Sequence, residues 1–294
     1  MPAVAFIVNG TLAKAGQRFQ ALCRAAAGHA GWKPEFLVTR KAEDGTEAAR
    51  EAALSGADLV LATGGDGTVR CCAEALAGTG VPMGIIPLGT ANLLARTLGI
   101  PAHPRAALRL ALVSGHGTDR LVDLAVADDV PFTAMAGIGL DAAVVAATHL
   151  KHQLGWLAYA VSGAAHLALP PATFTIRLDD DEPITRVARC VVAGNSGLLP
   201  GGFSLLPAAR PDDGLLDVGV LAPAGTLGWA RVATRVLTHS RYEDRQLERF
   251  RARRVDITAS MPLPREIDGE VIFAGRSLSV EIRPRTLLVR APAQ

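Results

Sequence analysis

The strongest constraint on this chain is the alternation that runs through its first third. Residues 4–8 (VAFIV), 36–39 (FLVT), 58–63 (DLVLAT) and 83–86 (MGII) read as short buried strands, and helical patterns separate the first three. Strands that alternate with helices must lie parallel, because a parallel pair needs a crossover of helical length. The first crossover shows the pattern best: Leu12, Ala15, Phe19, Leu22, Cys23 and Ala26 recur at helical spacing, while Lys14, Arg18 and Arg24 fall on other faces. Residues 44–56 repeat it, with Asp44 placed to cap the start and Gly56 to stop it, and residues 104–115 form a further helical stretch. From about Arg120 the rhythm changes to short strands with turn signals, interrupted by a helical pattern at 226–240.

That rhythm predicts an α/β domain with a parallel sheet over residues 1–120 and an antiparallel β-rich domain over residues 121–285, with a last strand, 286–294, placed to return to the first domain. No Ser/Gly-rich linker lies near residue 120, so the two domains are expected to pack around a cleft. At 294 residues and 49% hydrophobic, the chain can fill two cores. Its 30 basic and 28 acidic residues leave a net charge of +2, which speaks against a dedicated nucleic-acid partner. Cys23, Cys71, Cys72 and Cys190 show no metal-ligand spacing, and no charged-then-apolar leader opens the sequence, so reduced thiols and a cytoplasmic location are expected. The longest uncharged stretch, 154–176, is broken by Pro170 and Pro171 and falls short of the roughly 20 residues of a membrane span.

Residues 59–70, LVLATGGDGTVR, deliver a strand into Gly64, Gly65 and Gly67 and then into a helix. Backbone N–H groups of such a turn and the helix N-terminus can receive phosphate oxygens. No GK[ST] follows, so the lysine of a Walker A loop is missing, yet a carboxylate, Asp66, sits among the glycines. A hard oxygen ligand in that place suits a divalent cation carried on a nucleotide. The plainer alternative is a glycine turn with Asp66 or Thr68 capping the next helix.

The company of this motif is more specific. GGDGT, PLGTANLLAR (87–96), GLLPGGFSLLPAARPDDGLLDV (197–218) and IDGEVIFAGRSLSVEIRP (267–284) occur in that order over nearly the whole chain and resemble the diacylglycerol kinase catalytic family, which includes bacterial lipid kinases and the sphingosine and ceramide kinases. The resemblance implies a phosphofructokinase- and NAD-kinase-like first domain, a C-terminal β-sandwich domain, and ATP with Mg2+ in an interdomain cleft. It implies nucleotide contacts from Gly64, Gly65, Asp66, Gly67 and Thr68, from Thr39 and Thr90, and from Asn9 at the end of the first strand. It implies a structural Mg2+ site at Asp213 with the carbonyls of Arg210 and Leu215, and a catalytic base drawn from Asp268 and Glu270, with Asp66 a rival. The chain departs from the family at Arg70 and Cys71, where Asn-Glu is usual, and at Leu93, where Asp is common.

Physical chemistry supports the acidic pair independently: a lipid hydroxyl is a poor nucleophile, and a carboxylate within reach can take its proton. Its competing reading is a hairpin turn, the common use of Asp-Gly. GIGLDA (137–142) fits a dinucleotide fingerprint, but no acidic residue follows between Asp141 and Asp179, so its glycines are expected to admit a ligand or a neighbouring strand. His149 and His152 lack a third ligand, residues 154–169 suit a core, an acyl pocket or a bilayer contact, and RFRARR (249–254) suits anionic headgroups or a mixed solvated face. The expectation is a kinase that moves the γ-phosphate of ATP to a membrane lipid, diacylglycerol first and a ceramide or sphingoid lipid second, at a peripheral membrane contact, with a homodimer left open. Its alternatives are an NAD-kinase-like enzyme and a non-catalytic lipid- or nucleotide-binding protein.

Overall fold

A computed structural model describes residues 1–12, 16–40, 44–139, 170–199, 202–242 and 244–293. The chain divides into two compact units, Met1–Leu124 with Pro284–Gln294, and Ala125–Arg283. His149, His152 and the apolar stretch 154–169 lie outside the described residues.

In the first unit β1 (Ala3–Asn9), β2 (Lys33–Thr39), β3 (Leu59–Gly64) and β4 (Met83–Pro87) pair in the order β2-β1-β3-β4, every pair parallel. The crossovers run through α1 (Gln17–His29), α2 (Asp44–Leu54) and α3 (Asp66–Leu76), and α4 (Leu93–Thr97) and α5 (Pro104–Leu112) follow β4. β3 and β4 are buried at every residue, the signature of strands covered on both faces. The end of β14 (Glu270–Ala291) joins β4, parallel, at Val289 opposite Met83, so the last strand belongs to this sheet.

Two helix ends differ from the pattern. α1 starts at Gln17, five residues beyond Leu12. Asn9 Oδ1 accepts the Thr11 N–H at 3.0 Å and its hydroxyl at 2.6 Å, an Asx turn that carries the chain off β1 first, and Leu12 packs on the core from that turn. α5 stops at Leu112, whose carbonyl accepts the Trp32 indole N–H at 2.8 Å, and Val113 is already extended.

The second unit is antiparallel. After β5 (Thr118–Ala127), which leads into it, β6 (Val130–Phe132) folds back on Ala125–Ala127. β12 (Leu247–Ala252), β11 (Leu216–Leu221), β10 (Cys190–Gly194), β7 (Met135–Ile138), β13 (Arg254–Ile267) and β14 lie side by side in that order, and β8 (Ala172–Leu178) pairs β13 and β9 (Ile184–Ala188). A helix, α6 (Gly225–Leu237), stands between β11 and β12 in sequence. β13 has β14 on one edge and two partners on the other, β8 through Val255–Ala259 and β7 through Arg265–Ile267. Its register against β14 shifts between Thr258 and Leu263, the stretch that separates these two pairings. β8 alternates strictly, with Ala172, Phe174 and Ile176 inward beside Ile257 and Phe132. Among the described residues no helix is long and apolar enough to cross a membrane.

Of the GIGLDA glycines, Gly139 has φ +95°, and a Cβ there would collide with the backbone carbonyl of Arg189. Close approach of a neighbouring chain segment, rather than a dinucleotide, accounts for it. Gly139→Ala is expected to cost about 1–3 kcal/mol through that collision and the left-handed backbone. A urea denaturation midpoint equal to wild type would show that the segment simply shifts aside.

Candidate active site

Asn9, Thr39 and Gly64 are the last residues of β1, β2 and β3, and the PLGT turn leaves β4 directly. These residues share the carboxyl edge of a parallel sheet, where open α/β sheets take their ligands. The connection from β3 is tighter than the motif suggests. Gly65 is the N-cap of α3, so Asp66, Gly67 and Thr68 are its first turn and not an open loop. The N–H groups that this connection can offer are therefore first-turn ones, which have no acceptor within their own helix.

The glycines also let two turns touch. Gly64 O accepts Leu88 N–H at 2.8 Å and Gly89 N–H at 3.2 Å, and a Cβ on Gly89 would stand 2.6 Å from the Gly65 Cα. Asp66 makes no cap to α3. Its carboxylate instead accepts the N–H of Asn92 at 2.8 Å and of Leu93 at 2.5 Å, capping α4, with Asn92 in the left-handed region at φ 47°. The capping alternative is thus correct in kind and directed at a different helix. Burial pushes the Asp66 carboxyl up, against the pull of the Leu93 and Asn92 N–H groups and the Arg96 cation.

The remaining nucleotide candidates gather around this weld. Thr68 is buried, and its Oγ1 accepts Asn9 Nδ2 at 3.4 Å. The Thr39 hydroxyl is buried and donates to Val8 O at 3.4 Å, while its carbonyl takes the Gly10 N–H at 3.0 Å. Thr90 is exposed in the PLGT turn.

In the second unit Asp268 and Gly269, at φ 49° and 81°, form a two-residue hairpin between Ile267 and Glu270, which pair across it. Positive φ at both positions is the type I′ geometry for which Asp-Gly is suited, so the turn reading holds. The turn is also anchored. Asp268 Oδ2 accepts Thr133 N–H at 2.9 Å and its hydroxyl at 3.2 Å, Oδ1 accepts Ala134 N–H at 2.8 Å and Met135 N–H at 3.3 Å, and the Asp268 N–H returns to Met135 O at 2.8 Å. Ala134 O receives the N–H groups of the buried Asn195 and Ser196 at 2.9 and 3.1 Å, so one loop holds three polar segments together. Glu270 is exposed at the start of β14.

Glu266 is a carboxylate that sequence reasoning missed. It is 7% exposed, and its Oε2 accepts the Gly269 N–H at 2.9 Å. Burial, with a smaller contribution from the nearby Asp268 charge, pushes its carboxyl up to about 7. The only signal for it is register: Glu266 stands opposite Gly137 in β7, where no side chain competes for the space.

Asp213 has a different partner from the metal that the resemblance implies. Its Oδ1 accepts the Leu215 N–H at 3.2 Å, and its Oδ2 is paired with the Arg251 guanidinium. Arg251 stands across from Asp217 in register, with Nε 3.4 Å from that buried carboxylate. Burial pushes Asp217 up, opposed by Arg251 and reinforced by Asp213. Arg210 is exposed in the same loop. Among the described residues no group of three or more His, Cys, Asp or Glu could hold a metal ion, and Asp213 is the one carboxylate of the set that the resemblance implies, the other two ligands being carbonyls. The basic run 249–254 is likewise engaged within the protein: Arg249 donates to Leu205 O, and Arg254 pairs with Asp256.

Comparisons with known proteins cover both units. Residues 3–124 match the model of the diacylglycerol kinase catalytic domain, and residues 134–291 match that of the YegS C-terminal NAD kinase beta sandwich-like domain. A probable lipid kinase YegS-like of Pseudomonas fluorescens is 35% identical over 268 residues, covering 90% of this chain and 87% of its own. A protein of the same description in Pseudomonas aeruginosa is 35% identical over 277 residues, with 92% and 88% covered. A solved putative diacylglycerol kinase from Bacillus anthracis superposes with TM-score 0.79 at 25% identity over 98% of this chain and 96% of that one. An NAD kinase from Archaeoglobus fulgidus in complex with ATP has TM-score 0.54 at 12% identity over 98% and 93% of the two chains, a likeness of fold alone.

Two outcomes follow from this geometry. Asp66→Ala leaves the Asn92 and Leu93 N–H groups without their acceptor and is expected to cost about 1.5–3 kcal/mol, read as a lower melting temperature. A wild-type melt would mean that α4 finds another cap. Between pH 4.5 and about 7 the folded chain keeps a proton on Glu266 that the unfolded chain releases, so stability falls as pH rises through that window. The full window is worth about 3 kcal/mol. Glu266→Gln removes this slope; urea unfolding of both proteins at pH 5 and pH 8 should show the gap shifting toward Gln at pH 8, and a pH-independent gap would contradict the assignment.

Proposed function

The chain belongs to the diacylglycerol kinase catalytic family of lipid kinases, and from that membership we propose that it transfers the γ-phosphate of ATP, carried with Mg2+, to the hydroxyl of a membrane lipid. Diacylglycerol is the first substrate on this reading and a ceramide or sphingoid lipid the second, met at a peripheral membrane contact. One observation carries the proposal. At the carboxyl edge of the parallel sheet the GGDGT and PLGT turns are held backbone to backbone, Gly89 against Gly65, with Asp66 tying α3 to α4.

That weld fixes the first turn of α3, whose N–H groups have no acceptor within their own helix and are the donors that this reading offers to phosphate oxygens. Asn9, Thr39 and Thr90 complete the nucleotide contacts. Asp66 is the one carboxylate of this turn, and both of its oxygens already accept N–H groups, which suits an ion that arrives on the nucleotide phosphates and keeps most of its water. When bound, Mg2+ draws charge off the β- and γ-phosphates. The lipid oxygen then bonds to the γ-phosphorus, the bond to the β-phosphate oxygen breaks, ADP leaves, and the hydroxyl proton passes to a carboxylate of the Asp268–Glu270 turn. Asp268 is held by three N–H groups and a hydroxyl, which fixes its orientation, while Glu270 is exposed beside it.

The test is phosphate transfer from labelled ATP, with Mg2+, to diacylglycerol, ceramide, sphingosine and NAD, using wild type, Asp268→Asn and Glu270→Gln. Label on a lipid, lost in one of the two variants with its ATP affinity unchanged, is the expected result, and that variant names the base; label kept by both takes the base away from this turn. Label on NAD alone, or ATP binding with transfer to nothing, overturns the proposal.

A further inference from the structure

Phe273 is 91% exposed, the highest value among the large apolar side chains of the described residues. Val271 is 45% exposed, and Met261, in the irregular stretch of β13, is 38% exposed. Val271 and Phe273 are two apart on β14, so they project from the same face, about 7 Å from one another along the strand. Their position on the hairpin is the informative point: Val271 directly follows Glu270, and the turn bearing Asp268 and Glu270 is the tip of the same β13–β14 arm.

The strand that presents Phe273 is held firmly. The Arg265 guanidinium donates to Phe273 O at 2.9 Å and to Ser277 O at 3.1 Å while pairing with Asp128 at 2.6 Å. An exposed aromatic ring on a fixed strand is a poor use of a side chain facing only water, and a good one at a lipid–water boundary, where aromatic side chains concentrate. Exposed Arg276, three residues on, adds a cation of the kind that anionic headgroups attract.

We propose that the β13–β14 arm is the element that docks the protein on the bilayer holding its substrate: Phe273 and Val271 enter the lipid–water boundary, Arg276 meets anionic headgroups, and the acidic turn is thereby held at headgroup depth. The inference rests on the lipid-kinase reading, because a bilayer is the occupant only if the acceptor hydroxyl lies in one. It uses the strand beyond the turn and assigns a surface that phosphate transfer itself does not require.

The experiment pairs binding with activity on the full chain. Wild type, Phe273→Ser and Val271→Ser are sedimented with vesicles of phosphatidylcholine and phosphatidylglycerol, and each is assayed on long-chain diacylglycerol in those vesicles and on a short-chain diacylglycerol dispersed in solution. Because Phe273 is exposed, its variant should melt with wild type. Phe273→Ser is expected to lose tenfold or more in vesicle binding and in transfer to the embedded lipid while keeping transfer to the soluble one, and Phe273→Trp to restore both. Vesicle binding equal to wild type, or an equal loss on both substrates, overturns the proposal. Failure of wild type to phosphorylate any lipid would instead strike the kinase reading, and the sedimentation result would still decide whether this arm touches membranes.

Discussion

The first unit depends on a carboxylate that serves a helix other than its own. Asp66 sits on the first turn of α3, yet its two oxygens take the opening N–H groups of α4, and Gly65 and Gly89 are in backbone contact beside it. A helix N-terminus draws negative charge, so the carboxylate stabilises α4 while it determines where the PLGT turn lies relative to α3. Two turns that belong to successive strands are thereby made into one rigid surface. Rigidity matters at such a surface, since donors aimed in advance at a phosphate need not reorganise when charge moves.

The second unit repeats the device with different parts. Asp268 collects three N–H groups and a hydroxyl from the β6–β7 connection, and the hairpin it belongs to cannot rotate without breaking them. Glu266 then closes the turn from the buried side through the Gly269 N–H. In both units an acidic residue in a glycine-bearing motif has local architecture as its visible task, and any chemistry is built on top of it.

The parallel strands of the first unit, the change to antiparallel strands after them and the presence of the motifs were legible in the sequence because all are carried by short-range patterns. An apolar run ending in GGDGT specifies a buried parallel strand and a turn whatever the rest of the chain does, and Asp-Gly between β-type runs specifies a hairpin. What escaped was everything set by register or by contacts across long separations. Glu266 became visible only opposite Gly137, the partner of Asp66 lies 26 residues away on another helix, and Asp213 found Arg251 through the β11–β12 pairing that brings Arg251 across from Asp217. The start of α1 was misplaced because helical spacing at Leu12 outweighed a side-chain turn that Asn9 makes with its own neighbours.

The core of the first unit holds Leu287, Val289 and Ala291 fully buried, with Val289 beside Met83 of β4. These residues are made more than 150 positions after Leu124, the last residue of the unit's first segment. On a ribosome, β4 therefore waits with an unpaired edge while the whole second unit is synthesised. Such an edge is a template for mispairing. Assembly of the first unit is then completed only when the distant segment arrives, so the time for which β4 stays open at that edge is set by the length of the second unit.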